Sequence, residues 1–390
     1  MMILNNVKIV GAGEAVNIAV MGEQITSITS SPLPAANSDL TLQFDKAFIF
    51  PGLINSHDHL DFNLFTPLGD RVYSNYTEWG RHIHKTFRAE IREVLNIPAS
   101  LRTEWGIYKN LLCGITTVVN HGARLGKSTD LITVFEKTHC LHSVQFEKRW
   151  RIKLNNPFKK NLPVNIHVGE GTDGAAYHEI ETLTRWNLLN KKLIGVHAVA
   201  MTERQAKKFK AIVWCPQSNY NLLNKTAPVD LLKKRSVLLF GTDSTLTSDW
   251  NIWHHLQSAR KSHLLDDEML YKSLTENAAQ IWQLNTGKIA AGKEADLVVA
   301  RTNNGNNSLD VFFGITPDDL LLVMHRGNIR LFDETLLDQL KQVNIRDFSR
   351  VYINGIGKYV QGDLPGLMEN IRKYQPAAEF PISVTNLLVA

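Results

Sequence analysis

The chain has 390 residues, 44% of them hydrophobic and 21% charged, with 43 Lys and Arg against 38 Asp and Glu for a formal charge of +5. That length and apolar content suit one barrel of about 250 residues plus an accessory domain, and the cationic excess is too small and scattered to argue for nucleic acid. No apolar run approaches the ~18 residues of a membrane span, and Cys113, Cys140 and Cys215 form no CxxC and suit a reducing cytoplasm.

The first residues, MMILNNVKIVGAGEAVNIAVMGEQITSI, alternate like short strands. They lack the basic segment, apolar core and small-residue cleavage site of a secretion signal. Turns are expected at Gly11-Ala12-Gly13 and in the Ser/Pro/Asn loop at 30–38. The apolar run FIFPGLIN then leads to His57 and His59, with Trp79, Arg81 and His82 in the segment that follows, and GITTVVNH ends on His121. Between His121 and Pro163 the pattern predicts a helix in DLITVFEK, one strand in CLHSVQF, and a solvated helix and loop in the basic stretch KRWRIKLNNPFKK.

Further on, PVNI leads to His167 and Glu170, KLIGV to His197, AIVWC to Ser218 and Asn219, and VLLFG to Asp243. Two more strand patterns, ADLVVAR and DLLLVMHRGNIRL, follow. The segments LFDETLLDQLKQV and LPGLMENIRKY are amphipathic, so residues 331–390 are expected to form a helical extension.

The histidines and acids thus stand just past short apolar runs that read as buried strands, the layout of a metal site at one end of a parallel barrel. Imidazole and carboxylate are the ligands of a catalytic Zn²⁺ that keeps a position open for water. In a strand, residues i and i+2 share a side, so His57 and His59 can reach one ion while Asp58 points away. Zn²⁺, Fe²⁺ and Mn²⁺ all accept such ligands.

PGLINSHDH, the HxxE of His167 and Glu170, VHAV around His197, WCPQSNYNLL, GTDS and TENAAQIWQLNTGKIAAGKEADLVV together resemble the amidohydrolase superfamily over roughly residues 1–330. The HxxE places the resemblance nearest the aminohydrolase branch acting on cytosine, guanine, triazines and S-adenosylhomocysteine. It implies a (β/α)8-type (TIM) barrel at 49–283 and a small β-sandwich made by residues 1–48 with 284–330; the chain departs from that pattern between His121 and Pro163, where one strand stands in place of two strand-helix units, so the barrel is expected to be irregular around its third and fourth strands. The resemblance implies one divalent ion, zinc ahead of iron or manganese, on His57, His59, His167 and Asp243. His197 would sit beside the reacting water, Glu170 would be the proton shuttle, and Asp243 would orient the water with its second oxygen. Asn219 and Ser218 are expected to hold the mouth of the seventh strand or to make a bond behind a ligand, and Asn219, His121 and Trp79, with Arg81 and His82, are candidates for substrate contact.

Members with two metals carry a carboxylated lysine, and Lys148 is the only nearby candidate here, which favours one metal. The base-flipping zinc deaminases are excluded because Cys215-Pro216 lacks the second cysteine of PCxxC. The expected function is hydrolysis of a non-peptide C–N bond in a small cyclic molecule, foremost a deamination. An amidase opening a lactam or cyclic imide, and a non-catalytic metal-binding relative, are the alternatives. The expected partners are a small-molecule substrate and a second copy in a homodimer, with neither nucleic acid nor membrane.

Overall fold

The computed structural model describes residues 1–126, 128–302 and 309–385. It is a mixed α/β structure with two parallel sheets and one large mixed sheet. Strands β1 (Met2–Ile9), β2 (Ala15–Met21), β3 (Gln24–Thr29), β4 (Leu40–Gln43) and β5 (Ala47–Pro51) come first. The parallel strands are β6 (Leu53–Asp58), β7 (Ile115–Asn120), β8 (Thr133–Phe135), β9 (His139–Ser143), β10 (Val164–Val168), β11 (Leu193–His197), β12 (Ala211–Trp214) and β13 (Val237–Phe240). The chain closes with β14 (Leu297–Arg301), β15 (Leu320–His325), β16 (Asn328–Asp333), β17 (Phe348–Ile353) and β18 (Ile356–Gln361).

The 3-stranded sheet runs β6-β7-β8 and the 5-stranded sheet β13-β12-β11-β10-β9. They meet on one side, where Asp58 bridges Asp243 in parallel and the amides of Thr242 and Asp243 donate to the carbonyl of His57. On the other side, only Glu136-Lys137-Thr138 separate β8 from β9. A parallel neighbour needs a crossover of about a dozen residues, so β8 and β9 are successive parts of one extended run. The helix expected in DLITVFEK does not form. Its β-branched core, Ile132-Thr133-Val134, favours a pleated surface, and Thr133, Val134 and Phe135 pair with Thr117, Val118 and Val119.

Side-chain alternation decides what faces the site. Val164, Ile166 and Val168 join the cluster packed under the helices. The intervening residues of β10, Asn165 and His167, share the opposite face, as do Val119 and His121 along β7. Val119, Ile194, Val196, Val213 and Leu239 form a separate cluster. Apolar residues thus fill the strand starts and histidines mark the ends.

Both chain ends enter one 10-stranded sheet, order β17-β18-β16-β15-β14-β5-β1-β2-β3, with β4 paired to β1. Its seam is antiparallel, Val298 opposite Phe50 and Ala300 opposite Phe48. Leu297 and Val299 join the sheet's own core while Val298 and Ala300 face the cluster shared with the helices. The helical extension expected over 331–390 is corrected here. Residues 348–361 form the hairpin β17–β18, turning at Asn354-Gly355, both in the left-handed region (φ 48° and 80°). LFDETLLDQLKQV supplies the end of β16 and a 3-10 turn, Glu334–Gln339, because it is tied into the sheet at Phe332 and Asp333. Among the described residues of this stretch, only Leu364–Arg372 is an α-helix, and it lies against Ala99–Leu112. Among the described residues, no helix is long and apolar enough to cross a membrane.

Candidate metal centre and active site

The helices that shape the site are α1 (Tyr76–Thr86), α2 (Arg88–Asn96), α3 (Ala99–Leu112), α4 (Trp150–Leu154), α5 (Gly174–Arg185), α6 (Glu203–Ala206) and α7 (Pro216–Leu223). Nε2 of His167 lies 3.1 Å from Nε2 of His57 and 3.3 Å from Nε2 of His59. Oδ1 of Asp243 is 3.7 Å from the first of these partners and 3.6 Å from the second. Close approach of the strand ends needs Gly241, where a Cβ would sit 2.8 Å from Cβ of His57. His197 and Asp243 both adopt left-handed backbone, φ 69° and 63°. For non-glycine residues such a conformation costs about 1–2 kcal/mol and is found where function over-determines it.

The protonation pattern follows from the partners. His167 Nδ1 faces the carbonyl of His142 at 2.9 Å, so it carries the hydrogen and Nε2 presents a lone pair. Nδ1 of His57 has no partner. Burial, then the charge of His57, pushes His59 down to about 4, and burial with the neighbouring imidazoles holds His167 well below its usual value. Three imidazoles and one carboxylate thus converge. One hydrogen can join two of those nitrogens but not three, whereas a divalent cation satisfies the whole donor set. Burial alone would raise Asp243, but the hydrogen bond and charge of the surrounding histidines hold it well below the carboxylate range.

His197 has the opposite tautomer. The indole N–H of Trp214 donates to Oγ1 of Thr226 at 2.6 Å, and that hydroxyl lies 3.5 Å from Oδ1 of Asn219. An indole only donates, so the hydroxyl keeps its own hydrogen for that amide oxygen, an arrangement that turns the amide nitrogen of Asn219 to Nδ1 of His197 at 2.9 Å. The ring hydrogen is left on Nε2, 3.6 Å from Oε2 of Glu170. His57, His167 and His197 could geometrically share an ion, but this wire makes His197 a hydrogen donor and leaves His57, His59, His167 and Asp243 as the set with lone pairs free.

Glu170 sits on the turn after β10, whose bend uses Gly169 at φ 62°, where a side chain would strike Ile180. The amide of Gly169 donates to Oε2 of Glu179 at 3.1 Å, and Tyr76 donates its phenol to Oε1 at 2.7 Å. Burial, then the charge of Asp243, raises Glu170 well above the usual carboxylate value. It therefore favours holding a proton.

Several expectations need correction. Oδ2 of Asp243 accepts the hydroxyls of Ser218 and Thr247 at 2.7 and 2.8 Å, so both its lone pairs are used and it is not free to orient water. Asn219 is fully buried behind His197 and does not line the cavity. His121 also stands off the cavity wall, its ring centroid 4.3 Å from that of His167 and both nitrogens unpartnered. Trp79 lines the cavity, with its indole N–H on the carbonyl of Leu68 at 2.7 Å. His82 pairs with Asp70 at 3.0 Å, and Lys148 is exposed. Reading the sequence missed Thr247 and Thr226. A hydroxyl four residues beyond Asp243 was a visible signal for the first, and none marked the second.

The fold and this donor set define a metal-dependent hydrolase with a buried acid at an open cavity of about 570 Å³. Residues 152–330 match the model of the Amidohydrolase family. Over 367 residues it is 22% identical to 5-methylthioadenosine/S-adenosylhomocysteine deaminase of Caldicellulosiruptor saccharolyticus, covering 79% of this chain and 86% of that one. Among solved structures, an adenosine deaminase from Xanthomonas campestris with bound zinc is 17% identical, with a TM-score of 0.69 over 96% of this chain and 98% of its own. The zinc complex of atrazine chlorohydrolase from Arthrobacter aurescens is 15% identical, with a TM-score of 0.67 over 84% of this chain and 95% of its own.

Proposed function

We propose that this chain is a metal-dependent aminohydrolase that replaces an exocyclic amine on a small heterocycle by oxygen and releases ammonia. The observation that carries this reading is the pairing of Glu170, buried and favouring its protonated form, with the Nε2–H of His197 at 3.6 Å beside the convergent imidazoles. We read the parallel strands as a (β/α)8-type barrel interrupted between Phe135 and His139, with the site at the carboxyl ends of its strands, where such barrels hold their chemistry.

His57, His59, His167 and Asp243 would hold one divalent ion, zinc by analogy with the zinc-bound neighbours. When bound there, the ion lowers the pKa of water towards about 7 and so makes a nucleophile available at neutral pH. Glu170 gives the proton it holds to the ring nitrogen, takes one from the attacking water in exchange, and passes that proton to the departing amine. His197 donates from Nε2 to the oxygen that gains charge as the trigonal carbon becomes tetrahedral. Asp243, kept ionised and pinned by Ser218 and Thr247, stays a ligand through Oδ1.

The test is a turnover screen of zinc-loaded protein against aminopyrimidines, aminopurines, aminotriazines and lactams, following ammonia and ring opening together. Ammonia appearing one for one with product is expected. Ring opening without ammonia would move the chain to the amidase reading and leave the metal assignment standing.

A further inference from the structure

The cavity before the imidazoles is walled by Phe62, Phe65, Trp79, Ile83, Phe146 and Leu246. Among the described residues lining it, the only acids are Glu170 and Asp243, and both face histidines. Three other polar groups near the reacting end are already engaged, while His142 and Ser244 also line the cavity. The indole N–H of Trp79 is held by Leu68, the hydroxyl of Thr247 by Asp243 and the phenol of Tyr76 by Glu179. Arg81 and His84 stand exposed at the rim. On α1, Gly80 brings the backbone against Phe146, whose ring a Cβ there would meet at 3.3 Å, so the absent side chain lets the ring cover the cavity.

A sugar is held best by a free carboxylate, and both carboxylates of this lining face histidines. Ribose hydroxyls are met in built nucleotide sites by a carboxylate, and polar groups buried without partners are disfavoured. An apolar substituent gains from the same wall, each methylene being worth about tenfold or more in a hydrophobic pocket. We propose that the substrate is a flat aminoheterocycle bearing a compact apolar substituent in the position where a nucleoside bears its sugar. This rests on the aminohydrolase reading for the ring and on the cavity wall for the substituent.

The test uses matched pairs, adenosine with 9-butyladenine and cytidine with 1-butylcytosine, on the zinc-loaded protein. The alkyl member of at least one pair should be favoured tenfold or more in kcat/KM for ammonia release. Phe146→Ser, at a half-exposed position that the fold tolerates, should cut that preference several-fold. Equal or better turnover of the ribosyl members would overturn the substrate class while keeping the deaminase reading. If no ring loses ammonia, titration calorimetry on the same pairs still decides: tighter binding of an alkyl member, weakened by Phe146→Ser, supports the proposal and sinks the deaminase reading instead. Equal binding, a preference for the ribosyl members, or binding of neither would overturn it.

Discussion

Asp58 and Lys109 face one another at 3.0 Å with both side chains buried, so the residue between His57 and His59, the last of β6, turns into a buried ion pair. Asn110 and Asn55 donate to the same carboxylate oxygen, at 2.9 and 3.2 Å, and Asn63 donates to the other at 2.8 Å. Removing one partner of such a pair strands a charge and costs about 3–5 kcal/mol. Lys109→Met should therefore lower stability by that order in urea unfolding, and adding Asp58→Asn should restore much of it. Equal losses in the single and double variants would mean that the pair is not what holds this strand end.

The metal assignment predicts about one zinc per chain by elemental analysis. His167→Ala and Asp243→Ala should each lose it, whereas His197→Ala should keep it, because the Asn219 hydrogen bond leaves that ring's proton on Nε2. Retention by His167→Ala, or loss by His197→Ala with the fold intact, would reverse the roles.

Glu170→Gln should retain zinc and fold while lowering turnover about a hundredfold or more, the scale of a lost general acid/base. Zinc loss in this variant would mark Glu170 as a ligand.

The wire from Trp214 through Thr226 and Asn219 predicts a resonance pattern. In ¹⁵N spectra of the metal-free protein, His197 should show its hydrogen on Nε2 alone. Asn219→Leu should mix the two tautomers and reduce turnover about tenfold, Thr226→Val should do so more weakly, and Thr226→Ser should behave as the parent. An unmixed spectrum in Asn219→Leu would leave Asn219 a packing residue.

A pH dependence should arise far from the chemistry. Lys191 Nζ lies 2.6 Å from Nδ1 of His139, and burial, then the charge of Lys159, pushes Lys191 down to about 8 from 10.5. Between those values the unfolded chain binds more protons than the folded one, so stability rises with pH. The stability of the parent relative to Lys191→Met should increase from pH 7.5 to 10. A flat difference would place the lysine's ammonium in water.

Legibility in the sequence tracked distance along the chain. His57, His59, His167, His197 and Asp243 each follow a short apolar run, and period-two alternation places their side chains together once the strands are parallel. The hairpin β17–β18 escaped because its pairing partner β16 is supplied by tertiary contact, and the amphipathic pattern of LFDETLLDQLKQV satisfies a sheet edge and a 3-10 turn as well as a helix. Strand β8 escaped because three residues carry too little periodicity, leaving only β-branching as a clue. The supporting bonds of Asn219 and Ser218 agree with one reading of WCPQSNYNLL, but nothing local says which histidine or acid each one reaches, or that Asn219 stands away from the cavity.

The seam between β5 and β14 carries a consequence for synthesis. Phe48 finds Ala300 across the ladder only after all the intervening parallel strands and helices have been made. At roughly 5–20 residues per second, the N-terminal strands wait on the order of ten seconds or more with the edge of β5 unpaired and Phe48 and Phe50 uncovered. Such an edge is a template for pairing with another chain. Yield in the cell should therefore respond to chaperone supply and elongation rate more than to the stability of the finished fold.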